Sequence, residues 1–343
     1  MTLQNLVRFS LAAAMVILPA CEKRPAGGGG EATPKGPRFA FVINNPSPFW
    51  SYARAGLKKA EQDFGLVADF QSPNSGTVEE QNRILETILQ RSAEFKGVAI
   101  SPLDPKNQTE ILNKVAAAMP LICHDSDAPA SNRLFYVGTN NVDAGRLFGK
   151  LIREKMPAGG SFALFVGSLD ALNAKQRREG IILELSDGAA SPATSGQVVC
   201  GKWTLVDTFT DNADRAAAQQ NVEAALRRFP DLQAVGGLWS YNTPQCIEAL
   251  KSAGKLGQVK VFGFDEEEAT LDAIAAGQCE GTIVQQPYEF GYQSMKYLKE
   301  IADGKKVDVP ANKEIPVPAL SITKDKVAEF RANLQRLRAA SDK

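Results

Sequence analysis

Residues 39–70 read FAFVINNPSPFWSYARAGLKKAEQDFGLVADF. A β-rich run at 39–43 ends in two asparagines, Asn44 and Asn45. Ala53, Leu57, Ala60 and Phe64 then recur at helical spacing, and 66–70 is β-rich again. The same alternation continues. Strands are expected at 97–101, 121–124 and 135–138, with Ile84, Leu85, Ile88 and Leu89 at helical spacing before the third. Asp104-Pro105 reads as an N-cap with proline at the first helical position, leading into Ile111, Leu112 and Val115. A second series follows, with strands at 162–166, 204–209, 234–239, 259–264 and 281–285 and helices at 214–226 and 245–251. Continuously apolar strands alternating with helices mean parallel sheets covered on both faces. Two consecutive series predict an α/β fold of two doubly wound parallel-sheet lobes. In such sheets ligands bind beyond the carboxyl ends of the strands.

The rest of the composition narrows the chemistry. The 343 residues are enough for two domains, 44% are hydrophobic, and 39 Lys+Arg balance 39 Asp+Glu. A net charge of zero offers no electrostatic footprint for nucleic acid. One histidine in the whole chain excludes a His-rich metal site and removes the usual acid–base agent. No GxSxG, HExxH or phosphate loop stands in the folded part, so neither a metal nor a cofactor is expected.

The start of the chain reads as an address. Residues 1–20 form a signal peptide, in which Arg8 precedes the apolar run FSLAAAMVILP at 9–19. Leu18-Pro19-Ala20-Cys21 resembles a bacterial lipobox, which implies lipidation at Cys21; the alternative is cleavage near Ala20 with Cys21 incidental. Residues 21–37 (CEKRPAGGGGEATPKGP) carry almost no apolar side chains and are expected to be a flexible linker. Cys123, Cys200, Cys246 and Cys279 show no CxxC spacing. One or two disulfides and buried free thiols both remain open.

The expected strand ends carry Asn44, Asn45, Ser101, His124, Asp125, Trp239, Ser240, Phe264, Asp265 and Gln285. Singly, such residues are most often caps or turn formers. Their recurrence across both series points to a shared polar cleft.

Several segments taken together resemble the periplasmic sugar-binding proteins of the ribose-binding type. They are Asn44-Asn45-Pro46-Ser47-Pro48-Phe49-Trp50 with Gly56, Ile100-Ser101-Pro102, and Ile122-Cys123-His124-Asp125-Ser126. Ala174-Lys175-Gln176-Arg177-Arg178-Glu179-Gly180, Val261-Phe262-Gly263-Phe264-Asp265 and Gly281-Thr282-Ile283-Val284-Gln285-Gln286-Pro287 complete the set. The resemblance runs over about 38–323, in order. It implies a receptor for an ABC importer, with two lobes joined by three hinge crossovers. The first lobe would comprise 38–139 plus 286–315, the second 140–285 plus 316–323. Residues 324–343, with Val327, Phe330, Leu334 and Leu337 at helical spacing, would form an amphipathic C-terminal helix.

Carried over residue by residue, the resemblance places Phe49 and Trp50 as aromatics stacked on a sugar ring. Asp125 and Asp265 become hydroxyl acceptors, Arg177 a guanidinium fork with Arg178 as its rival, and Gln285 an amide at the last hinge strand. Asn44, Ser47, Ser101 and Trp239 fall at the remaining ligand positions. Ser47, Ser101, Ser126 and the Trp239-Ser240-Tyr241-Asn242 run depart from the ribose type, which implies a ligand other than ribose.

The implied partners are a sugar or polyol and an ABC permease in the inner membrane, with a chemoreceptor or sensor kinase as a further possibility. A monomer is expected, exported to the periplasm or cell envelope and lipid-anchored there. Two rivals are an enzyme, with Asp125 and Asp265 as paired glycosidase carboxylates, and the effector domain of a sugar-responsive repressor. The export signal and zero net charge speak against the repressor.

Overall fold

A computed structural model describes residues 36–190 and 196–341. The expected signal peptide, Cys21 and nearly all of the linker lie outside the described residues. Among those described, no helix is long and apolar enough to cross a membrane.

The first series comprises β1 (Arg38–Val42), α1 (Trp50–Phe64), β2 (Val67–Gln71), α2 (Val78–Gln90), β3 (Phe95–Ile100), α3 (Thr109–Ala118), β4 (Leu121–His124) and β5 (Tyr136–Gly138). After α4 (Asn141–Lys155) the second begins, with β6 (Gly160–Val166), α5 (Leu172–Leu185), β7 (Val198–Cys200), β8 (Trp203–Thr210) and α6 (Arg215–Arg228). It continues through β9 (Ala234–Gly237), α7 (Asn242–Ser252), β10 (Lys260–Phe264), α8 (Glu268–Ala276) and β11 (Gly281–Val284). The chain closes with α9 (Pro287–Ala302), β12 (Glu314–Pro316), β13 (Leu320–Ile322) and α10 (Val327–Ser341).

These strands build two sheets, ordered β12-β5-β4-β3-β1-β2 and β13-β11-β10-β9-β6-β8-β7. The chain passes between sheets three times: after β5, after β11 and after β12. Pairing is parallel throughout except β7 with β8 and β11 with β13. β1 shows why a continuous apolar strand suits such a sheet. Phe39 and Phe41 pack with Leu57 and Phe290 on one face, while Ala40 and Val42 pack with Leu85, Ile88 and Leu112 on the other.

Every expected strand is present, with ends shifted by up to two residues. β7, β12 and β13, three residues each, were not expected. Asp214 caps α6 by accepting from the amides of Ala216 (2.7 Å) and Ala217 (3.0 Å). Asp104-Pro105 does not start a helix as expected. Asp104 accepts from the Asn107 amide in a separate turn, and α3 begins only at Thr109. The cause is Gln108, fully buried, whose amide donates to Gln81 (2.9 Å) and accepts from the Asp104 N–H (2.9 Å), pinning the turn against α2.

All four described cysteines are free and buried, which decides between the two alternatives in favour of thiols. Burial pushes each thiol up, Cys279 to about 12. In each lobe two helices cross at glycines. A β-carbon on Gly56 would lie 2.0 Å from the Tyr288 carbonyl oxygen, and one on Gly180 would lie 2.1 Å from that of Val142. Thus α1 meets α9, and α4 meets α5, backbone to backbone. The C-terminal α10 packs on both α1 and α8, burying Val327 and Leu334.

Candidate functional site

In the first sheet the winding direction reverses between β1 and β3, and in the second between β6 and β9. The loops at these strand ends face each other across a cleft of about 400 Å³, open solvent at its mouth included. It is lined from the first lobe by Asn44, Asn45, Ser47, Phe49, Trp50 and Asp125. Asn173, Arg177, Trp239, Ser240, Tyr241 and Asp265 line it from the second, with Gln285 at the crossover.

Two aspartates occupy equivalent places. Asp125 follows β4 and Asp265 follows β10, and both have left-handed backbone (φ 58° and 65°), a conformation that aspartate tolerates better than most residues. In each case the next strand supplies a hydroxyl that fixes the aspartate's carbonyl. Tyr136 donates to the Asp125 carbonyl (2.9 Å) and Thr282 to that of Asp265 (2.7 Å). The turn sends each carboxyl group inward. Asp125 Oδ2 accepts from Ser101 Oγ (2.6 Å) and Asn44 Nδ2 (3.2 Å), and Asp265 Oδ1 accepts from Gln285 Nε2 (2.9 Å).

Burial pushes both carboxyl groups above the usual range, against the opposing charge of Arg177 and the hydrogen bonds they accept. The N-cap position of α8 falls two residues after Asp265, at Glu267.

Arg177 is 1% exposed and held on three sides. Its Nε donates to Asn141 Oδ1 of α4 (2.9 Å), its Nη1 to the Leu238 carbonyl (2.7 Å), and its guanidinium lies 3.9 Å over the Phe264 ring. Nη1 stands 4.0 Å from Asp265 Oδ2, and Nη2 has no hydrogen-bond partner among the described residues. Arg178 points elsewhere and donates to Thr208 (3.0 Å), so of the two arginines Arg177 faces the cleft.

Of the ten expected ligand positions, nine line the cleft. Ser101 does not: it is fully buried behind Asp125 and orients its carboxylate. Trp50 is 3% exposed, edge-to-face with Phe49, and its Nε1 donates to Asn44 Oδ1 (3.2 Å). His124 is a core residue. It stacks on Phe41 at 4.0 Å between centroids, and burial lowers its pKa to about 3, leaving the ring neutral.

Asn45, Ser240 and Tyr241 also line the cleft, the first two at expected strand ends and Tyr241 in the run that departs from the ribose type; Asn173 alone was not singled out. Asn173 had a signal: it precedes Arg177 by one turn of α5 and shares its face. The 239–242 loop is braced by Asp211, which accepts from the Tyr241 hydroxyl and from Asn242 Nδ2 (2.8 Å), while Asn242 Oδ1 accepts from the Trp239 amide (3.1 Å).

Several buried polar atoms of this lining have no partner among the described residues. Arg177 Nη2 and Trp239 Nε1 are donors, and Asn173 Oδ1 and Gln285 Oε1 are acceptors. Each costs about 1–3 kcal/mol if left unmet in a dry site, so the cleft favours an uncharged guest that both donates and accepts along its rim. Both carboxyl groups already serve as acceptors held by amides and a hydroxyl. Among the described residues no group of His, Cys, Asp and Glu is placed to hold a metal ion.

Comparison with known proteins gives a consistent pattern. A periplasmic binding protein domain matches residues 39–306. The D-allose-binding periplasmic protein of Escherichia coli is 26% identical over 289 residues, spanning 80% of this chain and 87% of that protein. The ribose import binding protein of Bacillus subtilis is 24% identical over 270 residues, covering 78% of this chain and 81% of its own. Among solved structures, an ABC transporter solute binding protein from Burkholderia graminis in complex with D-arabinose superposes with a TM-score of 0.77. It is 25% identical and covers 86% of this chain and 97% of its own.

Proposed function

The chain belongs to the periplasmic binding protein family, and from that premise we propose that it is an extracytoplasmic receptor that closes on a sugar or polyol and delivers it to an ABC importer. The observation that carries the reading is the set of unmatched donors and acceptors around the cleft, Arg177, Trp239, Asn173 and Gln285, beside two buried carboxyl groups. A sugar hydroxyl both donates and accepts, so a ring of hydroxyls can satisfy all of them at once. Phe49 and Trp50 supply the apolar wall on which the C–H face of the ring rests.

The relatives bind D-allose and ribose, and the Burkholderia graminis protein holds D-arabinose. Serines at 47, 101 and 126 and the Trp239 loop favour a ligand other than ribose. The site comprises Asn44, Ser47, Phe49, Trp50, Asp125, Arg177, Trp239, Asp265 and Gln285, with Ser101 acting through Asp125. Binding shifts the population toward the closed form, as far as the ligand prefers that form. The lobes divide at 38–139 with 286–315 and 140–285 with 316–323, except that Pro316 still pairs with Gly138 in the first sheet. A monomer tethered through Cys21 presents its cargo to an inner-membrane permease or, in a sensory variant, to a chemoreceptor or sensor kinase.

A thermal-shift screen against pentoses, hexoses, polyols and amino acids tests the reading. A ligand at a hundred times its Kd adds about 2.7 kcal/mol, a rise of a few degrees in Tm. A shift with one carbohydrate supports the receptor and names its cargo. A shift with amino acids alone, or with nothing in the panel, would refute the sugar assignment.

A further inference from the structure

Beside the cleft lies a second cavity of about 370 Å³, within the range of about 300–1,000 Å³ typical of small-molecule sites. Pro48, Phe49 and Tyr52 wall it from the first lobe, Ser240 and Glu266 from the second, and Arg338 of α10 roofs it. Phe49 and Ser240 line both cavities, so the two chambers share a partition.

Glu266 is the unexplained group. It follows Asp265 directly, so the two consecutive carboxyl groups after β10 serve one chamber each. It is 3% exposed, and neither carboxyl oxygen has a hydrogen-bond partner among the described residues. Arg338 lies with its guanidinium 4.2 Å over the Tyr52 ring and donates to Ser51 Oγ (3.1 Å).

We infer that the cleft is bipartite, the second chamber between Phe49, Tyr52, Glu266 and Arg338 receiving a second saccharide unit, so that the preferred ligand is a disaccharide or sugar glycoside rather than a free monosaccharide. This deepens the receptor reading and rests on it. The chemistry of the walls suits a sugar ring. The lining combines aromatic rings with polar groups, as the C–H face and hydroxyl edge of a pyranose require. Burial, and next the Asp265 charge, pushes Glu266 well above the usual carboxylate range against the pull of Arg338 and Arg177. A shift in that direction favours the protonated form, which has one O–H to donate and oxygen left to accept, the dual character of the hydroxyls it would meet. Phe49 and Ser240, common to both linings, put the two chambers side by side, one residue apart.

Calorimetric titration of the purified protein tests this. D-glucose, D-galactose, D-xylose and L-arabinose are compared with cellobiose, maltose, melibiose, xylobiose and arabinobiose, in the parent and in two variants. Glu266→Leu removes the unpartnered carboxyl group, and Ala269→Trp fills the chamber from its exposed rim without entering the core. One disaccharide is expected to bind at least about tenfold more tightly than its own monosaccharide, the worth of one buried hydrogen bond. Both variants should erase that margin and leave the monosaccharide Kd within about threefold. The inference is overturned if monosaccharides bind as tightly as their disaccharides, or if the margin survives in a folded variant. Absence of binding by every saccharide is a separate result, which removes the receptor reading itself.

Discussion

Replacing Gly180 by alanine probes how Arg177 is held. The added methyl carbon would stand 2.1 Å from the Val142 carbonyl oxygen, where ordinary contact begins at 3.4 Å. The obstacle is backbone, which cannot rotate aside as a side chain does, so α4 and α5 must part by about 1.3 Å, the difference between those distances. The bond from Arg177 Nε to Asn141 Oδ1 spans the same junction. At 2.9 Å now, it would open to about 4 Å, beyond hydrogen bonding. Overpacking costs about 1–3 kcal/mol, of which the better helix propensity of alanine returns up to about 1.

Losing a hydrogen bond to a charged group removes about 1.5–3 kcal/mol of the force that orients the guanidinium, so ligand affinity should fall by about one to two orders of magnitude. Differential scanning calorimetry reads the first effect and titration calorimetry the second. Gly188→Ala is the control. Gly188 sits at positive φ (80°) and has nothing within 4 Å, so its alanine strains the backbone and leaves Kd alone. A Gly180→Ala protein with lowered Tm and unchanged Kd would show that α4 does not position Arg177. Unchanged Tm and Kd together would mean the helices do not touch as described.

Other expectations concern neighbouring parts of the molecule. Burial lifts Asp211 from 3.8 to about 6 despite the bonds from Tyr241 and Asn242. The folded state therefore holds this proton more tightly than the unfolded chain, and the associated stability is full below about pH 4 and lost as pH rises through about 6. Asp211→Asn should flatten the fall of Tm across that window relative to the parent; identical pH profiles would dismiss the assignment. Ser101→Ala removes the 2.6 Å donor to Asp125 from a buried residue that does not line the cleft. Affinity should drop by about 1–3 kcal/mol in titration with the circular dichroism unchanged, and full affinity would count against its orienting role. Cys123, Cys200, Cys246 and Cys279 should stay silent toward Ellman's reagent in the native protein and react once guanidinium unfolds it, whereas native reactivity would contradict their burial.

Much of this was legible in the residues because parallel strands buried on both faces announce themselves as unbroken apolar runs, as 39–43 does. The strands that escaped notice, β7, β12 and β13, are too short for any period to emerge, and they form edges where the partner decides the pairing. Most of the cleft was readable from strand ends, since that is where such sheets bind. Ser101 was placed one layer too far forward, because a strand end does not reveal which of two neighbouring side chains lies in front. The Asp211 brace was hidden for a topological reason. Asp211 follows β8 and Asn242 follows β9, two strands that flank β6 and meet only across its end.

The return of the chain to its first sheet bears on the order in which the molecule can be made. Phe39, Phe41 and Leu57 find their cover in Phe290, Met295 and Leu298 of α9, and β5 is paired on its outer side only when Glu314–Pro316 arrives. A chain emerging from its N-terminus thus has the early strands long before the residues that complete them. Residues 160–284, by contrast, carry six of the seven strands of the second sheet in one continuous stretch. Assembly should run out of register with synthesis, the middle of the chain settling before its beginning. During that interval an aromatic face of the first sheet stands open, the kind of surface that chaperones hold and that aggregates when they do not.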